Sequence, residues 1–322
     1  MGQRNGAWVG LVLLLAASAA AAQTDPAQYP SQTVRIVVPV SPGSIADGFA
    51  RMLAEKLAES WKQQVIVENR PGPPGIASVA KSTPDGHTLL LNSNGRTIAG
   101  AINPSLPFDP VKDFAGVTLI ASVPLVMIVP TSLAADTVKG FIQLARDKPG
   151  QLNFASAGVS TTSYLSAEIF KQTARIQIVH LPYKGAPEAV TAVVRGDAQM
   201  YFAPIPSAQE LGAAGKVRVV AINSSAHAPQ LPDVPTVAES GLPDYRYESW
   251  FGMLAPAGTA RPILDRLSRD IATALQNPDI RERMQNQGSL PVTNTPAQFD
   301  AIIRNDTERN ARILREAGVA AR

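Results

Sequence analysis

The chain contains no cysteine, which excludes thiol catalysis, thiolate metal sites and disulfide cross-links. Its stability must therefore come from a packed core. Histidine is nearly as scarce. His87, His180 and His227 lie far apart, and no H-E-x-x-H pair is present. Charged residues make up only 17% of the chain, the net charge is +3, and no Lys/Arg cluster occurs. That balance argues against a nucleic-acid partner. Several catalytic signatures are also missing. There is no Walker sequence, no G-x-G-x-x-G, and Gly158-Val159-Ser160-Thr161-Thr162 lacks the last glycine of a nucleophile elbow. Long apolar runs are absent too, apart from one at the start. Arg4, the apolar stretch Ala7–Ala16 and the small residues Ala17–Ala22 read as an export signal cleaved before Gln23. The stretch is short for a membrane anchor, the competing reading. Removing residues 1–22 leaves 300 residues and a charge of +2.

What is present is a pattern that occurs twice. Thr33–Val40 is rich in β-branched residues and stops at Ser41-Pro42-Gly43-Ser44, a turn. Ile45–Trp61 then places Phe49, Met52, Leu53 and Leu57 on one helical face. Strand Val65–Val67, a short helix over Ile76–Ser82 and strand His87–Leu91 follow. The second series has strands at Leu152–Ala155, Ile176–Val179 and Ala198–Phe202, with helices at Thr161–Thr173 and Pro187–Arg195. Each series is βαβαβ, which implies parallel strands and one α/β lobe apiece. Val117–Pro130, extended and interrupted by Pro124, reads as a crossing between lobes, and Trp250–Ala255 as the return. Three helices close the chain, at Pro262–Gln276, Asp279–Gln287 and Pro296–Glu316, the last opened by a Thr295-x-x-Gln298 capping box. They are expected to pack on the first lobe. The implied divisions are 1–22 as signal, 23–124 plus 251–322 as lobe 1, and 125–250 as lobe 2.

Ligands of open α/β sheets bind beyond the carboxyl ends of the strands. Both first strands end there in small-residue turns that open helices, and helix N-termini attract anions through unpaired N–H groups. Two such ends, one per lobe, suit a carboxylated ligand. The candidate contacts in the first lobe are Ser41, Pro42, Gly43, Ser44 and Asp47, with Ser93 and Asn94 after the third strand. Asp47 reads equally as the third-position acid of a capping box begun by Ser44. In the second lobe the candidates are Ser156, Gly158, Thr161, Thr162 and Tyr183, of which at least one is a simple cap and Tyr183 is equally readable as packed. His87 and His180 read as packed or hydrogen-bonded.

Many short stretches, in order, resemble one family. They include Tyr29-Pro30-Ser31, Val38–Ser44 with Asp47, Glu68-Asn69-Arg70-Pro71-Gly72 and Pro84-Asp85-Gly86-His87-Thr88. Asn103–Leu106, Phe108–Phe114, Lys148–Asn153, Pro182–Gly185, Leu231–Thr236 and Trp250-Phe251-Gly252 continue the series. Together they resemble the substrate-binding receptors of tripartite tricarboxylate transporters, the Bug receptors. The resemblance implies a bilobed type II periplasmic binding protein, α/β in class, whose two βαβ-based lobes are joined by crossing strands and close on a ligand. It implies no catalysis, no cofactor and no metal. The expected partners are a small organic acid and, transiently, integral-membrane transporter subunits, with the receptor a monomer. By position it adds Asn92, Ala157, Gly185 and Ala203 to the candidate ligand contacts. The sequence departs from the family pattern at Val40–Ser44, in a shortened Gly-rich segment after Gly72, and at Ala203, where many relatives place an aspartate. An alanine there implies a ligand without an ammonium group, such as a dicarboxylate, a tricarboxylate or an aromatic acid. Two other functions remain open: a receptor that presents its ligand to a membrane sensor, and an exported hydrolase, which would need a Ser/His/Asp cluster in the cleft.

Overall fold

A computed structural model describes residues 28–319 apart from 160 and 246, so the expected export signal lies outside the described residues. From the start, the chain forms β1 (Val34–Val38), α1 (Ile45–Trp61), β2 (Val65–Asn69), α2 (Pro73–Ala80), β3 (Thr88–Ser93), α3 (Gly95–Ile102) and β4 (Phe114–Ser122). It continues through β5 (Leu125–Pro130), α4 (Val138–Asp147), β6 (Asn153–Ser156), α5 (Thr162–Ala174), β7 (Val179–Pro182) and α6 (Ala186–Arg195). Then come β8 (Tyr201–Pro204), α7 (Ile205–Ala213), β9 (Val217–Ile222) and β10 (Trp250–Pro256). The last elements are α8 (Arg261–Ala274), α9 (Pro278–Asn286), β11 (Leu290–Pro291) and α10 (Pro296–Glu316).

The strands sort into two lobes. One sheet has the order β11-β4-β10-β3-β1-β2, with β1 parallel to β2 and β3. The other lobe holds the antiparallel set β8-β5-β9 and the parallel pair β6-β7, tied by a Phe154–Met200 bridge. The first sheet is covered on both faces, which explains why β1 reads as an unbroken apolar run. Val34, Ile36 and Val38 pack towards α1 and α8, while Val37 packs towards α2 and α10. Gly252 in β10 is required by this packing: a Cβ there would lie 2.1 Å from the Phe299 ring of α10.

α1 runs over the span the periodicity indicates, capped by Ser44 and ended by Lys62 in the left-handed region. α10 likewise opens with the Thr295–Gln298 capping box. The three C-terminal helices pack on the first sheet, but α10 also reaches the other lobe. Its Ile313 and Leu314 belong to the second lobe's core, and the Ile313 carbonyl accepts from the Gln172 side chain (3.3 Å). At about 1.5–3 kcal/mol per buried aliphatic side chain, those two contacts make α10 a tether between lobes.

Three details differ from expectation. β7 and β8 begin three residues later than the apolar runs, because Ile176, Ile178, Ala198 and Met200 are buried in loop or bridge conformation before the ladders start. α3, α4, α7 and β9 occupy segments to which the pattern assigned no element. The long run from Val117 is two strands broken at Val123-Pro124, and β10 lies wholly within the first sheet. The chain therefore passes between sheets at 123–124 and just before Trp250. There the Val123 N–H donates to the Ser249 carbonyl (2.8 Å), and the Ser122 hydroxyl donates to Glu248 Oε1 (2.5 Å).

Candidate functional site

The turn from β1 into α1 is built around one carboxylate. Ser44 Oγ accepts from the Asp47 N–H (3.2 Å), and Asp47 Oδ2 accepts from the Gly43 N–H (2.9 Å). This is a capping box displaced by one residue, since the acid reaches the amide before the cap. Gly43 sits at φ +80°, open to solvent, which favours glycine there. Arg51 and Asn69 complete the carboxylate's contacts, through Arg51 Nε (3.0 Å) and Asn69 Nδ2 (3.0 Å). Hydrogen bonding to Arg51 comes first, ahead of the opposing effect of burial and the bond from Gly43, and the Asp47 carboxyl is held down to about 2. The expectation that the amides of Pro42-Gly43-Ser44 receive the ligand is thus corrected. Proline has no N–H, the Gly43 N–H is spent on Asp47, and that of Ser44 points to the Ser41 carbonyl (3.4 Å). The helical ladder leaves the Ile45 and Ala46 N–H groups, but a neighbouring anion already answers their partial charge.

The turn from β6 into α5 is built around hydroxyls instead. Ser156 Oγ accepts from the Gly158 N–H (3.1 Å), and Ser163 Oγ accepts from the Ala157 N–H (3.2 Å). Thr161 caps α5, its hydroxyl donating to the Gly158 carbonyl (2.6 Å) and lying 2.9 Å from Ser163 Oγ. Tyr201 joins the cluster through Ser163; burial pushes its phenol up to about 12 against that bond. Gly158 adopts φ +118°, open to glycine alone in practice. α5 has no acid in its first turn, so the partial positive charge at Thr162 and Ser163 is unanswered. Tyr183 is tied to this turn, its N–H donating to the Ser156 carbonyl (3.0 Å). Its ring lies in a shallow hollow along α6 with Thr191 and Arg195. Gly185 caps α6 in extended backbone, and that helix carries its own acid, Glu188, in its first turn.

The lobes meet beside the first turn. A cavity of about 460 Å³ is lined by Gly43, Ser44, Asp47 and Gly48 of one lobe, with Asn286 and Gln287, and by Pro206 at the start of α7 in the other. Ser41 and Pro42, which precede Gly43 in the turn, are exposed and do not line the cavity. Pro206, Asn286 and Gln287 were not among the expected contacts. The last two lie more than 240 residues after the turn, and nothing local in the sequence links them to it. At the end of β3, Asn92 Oδ1 accepts from the Ser93 N–H (2.8 Å), leaving Nδ2 buried without a protein partner. Ser93 Oγ accepts from the Gly95 N–H (3.2 Å).

Two candidates are corrected. Asn94 is fully buried and braces the return crossing, donating to the Tyr247 hydroxyl (3.3 Å) and the Glu248 carbonyl (3.1 Å). Ala203 has no exposed surface: it lies inside β8 opposite Val126, packed in the apolar cluster with Tyr201 and Ile205. It cannot provide room in the cleft.

A larger cavity, about 530 Å³, opens on the other face of the crossing segments. Trp250 faces it and contacts Asp306 of α10, whereas the next residue, Phe251, turns to Phe49 of α1. Its wall carries Glu239, Glu248 and Asp306 against Arg309 alone, a charge balance that repels carboxylates. Among the described residues the nearest approach to a catalytic pair is Ser156 Oγ and His180 Nε2, 2.7 Å apart. The Ser156 side chain is fully buried, and burial, then Lys171, pushes His180 down to about 4. His87 is likewise packed, tilted at 52° against the Tyr29 ring and accepting from the Ser31 N–H (3.3 Å).

Two α/β lobes, two strand crossings and a strand-to-helix turn in each lobe define a periplasmic binding protein of the hinged kind. Comparison narrows the class. The profile of the tripartite tricarboxylate transporter receptor family matches residues 49–319. Protein BugT of Bordetella pertussis is 34% identical over 315 residues, 96% of this chain and 96% of that one. A Rhodopseudomonas palustris protein solved with adipate is 29% identical, covers 91% of this chain and 99% of its own, and superposes with a TM-score of 0.73. MatC of the same species, with bound malate, is 29% identical, with coverages of 89% and 100% and a TM-score of 0.69. The chain belongs to the tripartite tricarboxylate transporter receptor family. Among the described residues no helix is long and apolar enough to cross a membrane.

Proposed function

We propose that the protein is an exported receptor that captures a small organic carboxylate between its lobes and hands it to the membrane subunits of a tripartite tricarboxylate transporter. The observation that carries this is the unanswered N-terminus of α5, ringed by the Thr161 and Ser163 hydroxyls and free of acidic side chains. One ligand carboxylate sits there. The second lies towards Asn92, whose Nδ2 has no protein partner, and gains little from the Ile45–Ala46 amides beside Asp47. The lobes are 23–124 with 251–322, and 125–250, behind a signal peptide of residues 1–22, and the receptor works as a monomer. It is not an enzyme: the Ser156–His180 pair is closed off from substrate. The adipate and malate of the relatives fit a ligand class without an ammonium group. The first-lobe turn supports that class in place of Ala203, because its one carboxylate is committed to Arg51, Gly43 and Asn69. An ammonium brought there would be desolvated without a partner, at a cost of several kcal/mol, roughly. Calorimetric titration of succinate against aspartate, and glutarate against glutamate, tests this. The dicarboxylate is expected to bind tighter in each pair, and preference for the amino acid in both would sink the assignment.

A further inference from the structure

Arg96 presents a chemical anomaly away from the cleft. It lies in α3, is 2% exposed, and its Nε, Nη1 and Nη2 all lack a hydrogen-bond partner. It forms no ion pair among the described residues. One face of the guanidinium lies over the Phe114 ring, 4.9 Å from the centroid. That contact offsets only part of the cost of burying a charge, because cation–π attraction is weaker than the hydration the ion gives up.

The guanidinium borders a cavity of about 200 Å³. Val111, Phe114 and Ile303 give it apolar walls, and Asp300 and Arg304 of α10 supply its other charged groups. Asp300 is already engaged, its Oδ1 accepting from the Gly116 N–H (2.7 Å). Asp109 is near enough for its field to be felt by Arg96. Its Oδ1, however, accepts from the Val111 and Lys112 N–H groups (2.8 and 2.9 Å). The lining therefore carries two guanidinium groups against one carboxylate; Arg304 is exposed to solvent, which leaves the buried Arg96 without a paired negative charge. Water would satisfy donors without supplying that charge.

We propose that this cavity is a binding site for a small monovalent anion, of halide or formate size, held by the Arg96 guanidinium inside the first lobe. The anion ties down α3, and α3 carries two contacts that matter elsewhere. Asn94, two residues earlier, braces Glu248 at the crossing, and Thr97 Oγ1 accepts from Asn310 of α10 (2.9 Å). Anion occupancy thus stiffens the first lobe's side of the hinge.

The test uses the full mature chain. Crystals soaked in bromide are expected to show an anomalous peak at hydrogen-bond distance from the guanidinium; ordinary water density there, with no peak, overturns the proposal. In solution, thermal unfolding is followed in sodium chloride, sodium formate and sodium gluconate at equal ionic strength. Chloride or formate should raise the midpoint by roughly 2 °C or more over gluconate, and the two arms tell halide from carboxylate. The gain should vanish in Arg96→Met and survive in Thr162→Pro, which alters only the proposed solute site. A gain lost in Thr162→Pro but kept in Arg96→Met would place the anion in the cleft and overturn this site. Equal midpoints in all three salts would do so as well.

Discussion

The β1–α1 and β6–α5 turns look alike in sequence, each a small-residue break that opens a helix, yet they treat charge in opposite ways. The first contains its own anion: Asp47 takes the Gly43 N–H, and Arg51 and Asn69 hold it in place. The second satisfies its amides with Ser156, Thr161 and Ser163 hydroxyls and keeps its helix end free of acid. A carboxylate meeting the two turns gains more from the second, because a helix N-terminus already facing a carboxylate has little left to offer another. The teaching is that an anion site is recognised by what its own residues leave unanswered.

The largest expected effect comes from deleting one N–H at each helix start. Proline is well tolerated at the first helical position, and the caps Ser44 and Thr161 already have the extended backbone that proline requires of its neighbour. Thr162→Pro should weaken dicarboxylate binding by about 10-fold or more, the value of one hydrogen bond to a charged group, with unfolding midpoint unchanged. Ile45→Pro should cost much less. Calorimetry showing the reverse order would break the comparison.

A second change sharpens it. Asp47→Asn keeps an acceptor for Gly43 but removes the charge, so α1 should become receptive to anions. In that background the penalty of Ile45→Pro is expected to grow by about 2- to 5-fold, the scale of a helix-end charge effect. An unchanged penalty in the double variant would show that Asp47 does not screen this helix.

Acid should separate the turns as well. His180 beside Ser156 is held neutral, down from 6.5 to about 4, so its stabilisation is complete above pH 6.5 and fades as pH falls towards 4. Asp47 is depressed from 3.8 to about 2, so its contribution persists above pH 3.8 and is lost only on falling through 2. Between pH 6 and pH 4, hydrogen-exchange protection, corrected for the intrinsic exchange rate at each pH, should therefore fall at Ala155–Gly158 before Val38–Ser44, and His180→Asn should flatten that difference. Simultaneous loosening would contradict the assignment. The smallest effect is global. Small-angle scattering should show a slight fall in radius of gyration on saturation with ligand, and an unchanged radius would argue against lobe closure.

Much of the framework was readable because local signals agreed with the fold. Ser44 before Ile45–Trp61, and Thr295 with Gln298 before α10, fixed helix starts to the residue. The site was harder, since its decisive partners arrive through tertiary contact. Asn69 comes from β2, and Asn286 and Gln287 come from the end of α9. Ala203 was misplaced by the three-residue displacement of β8: the expected strand ended at Phe202 and left Ala203 in a turn. The ladder instead runs to Pro204 and buries Ala203. Asn94 is a candidate contact in the sequence because α3, which it precedes, is short and carries Gly95 and Gly100, poor helix formers that conceal it.

The bond between Val123 and Ser249 bears on the order in which the chain folds. Residues 124–248 leave the first sheet and return to the same point, so β4 and β10 become neighbours only when that long loop has closed. Closing it as a random coil is entropically unfavourable, and non-local pairing of this kind is slow. If the enclosed segment condenses first, its ends are brought together in advance, and β4 and β10 then pair like the two arms of a hairpin. Pulse-labelled refolding should accordingly protect β5 and β9 amides ahead of those in β4 and β10, and the opposite sequence would dismiss this nested route.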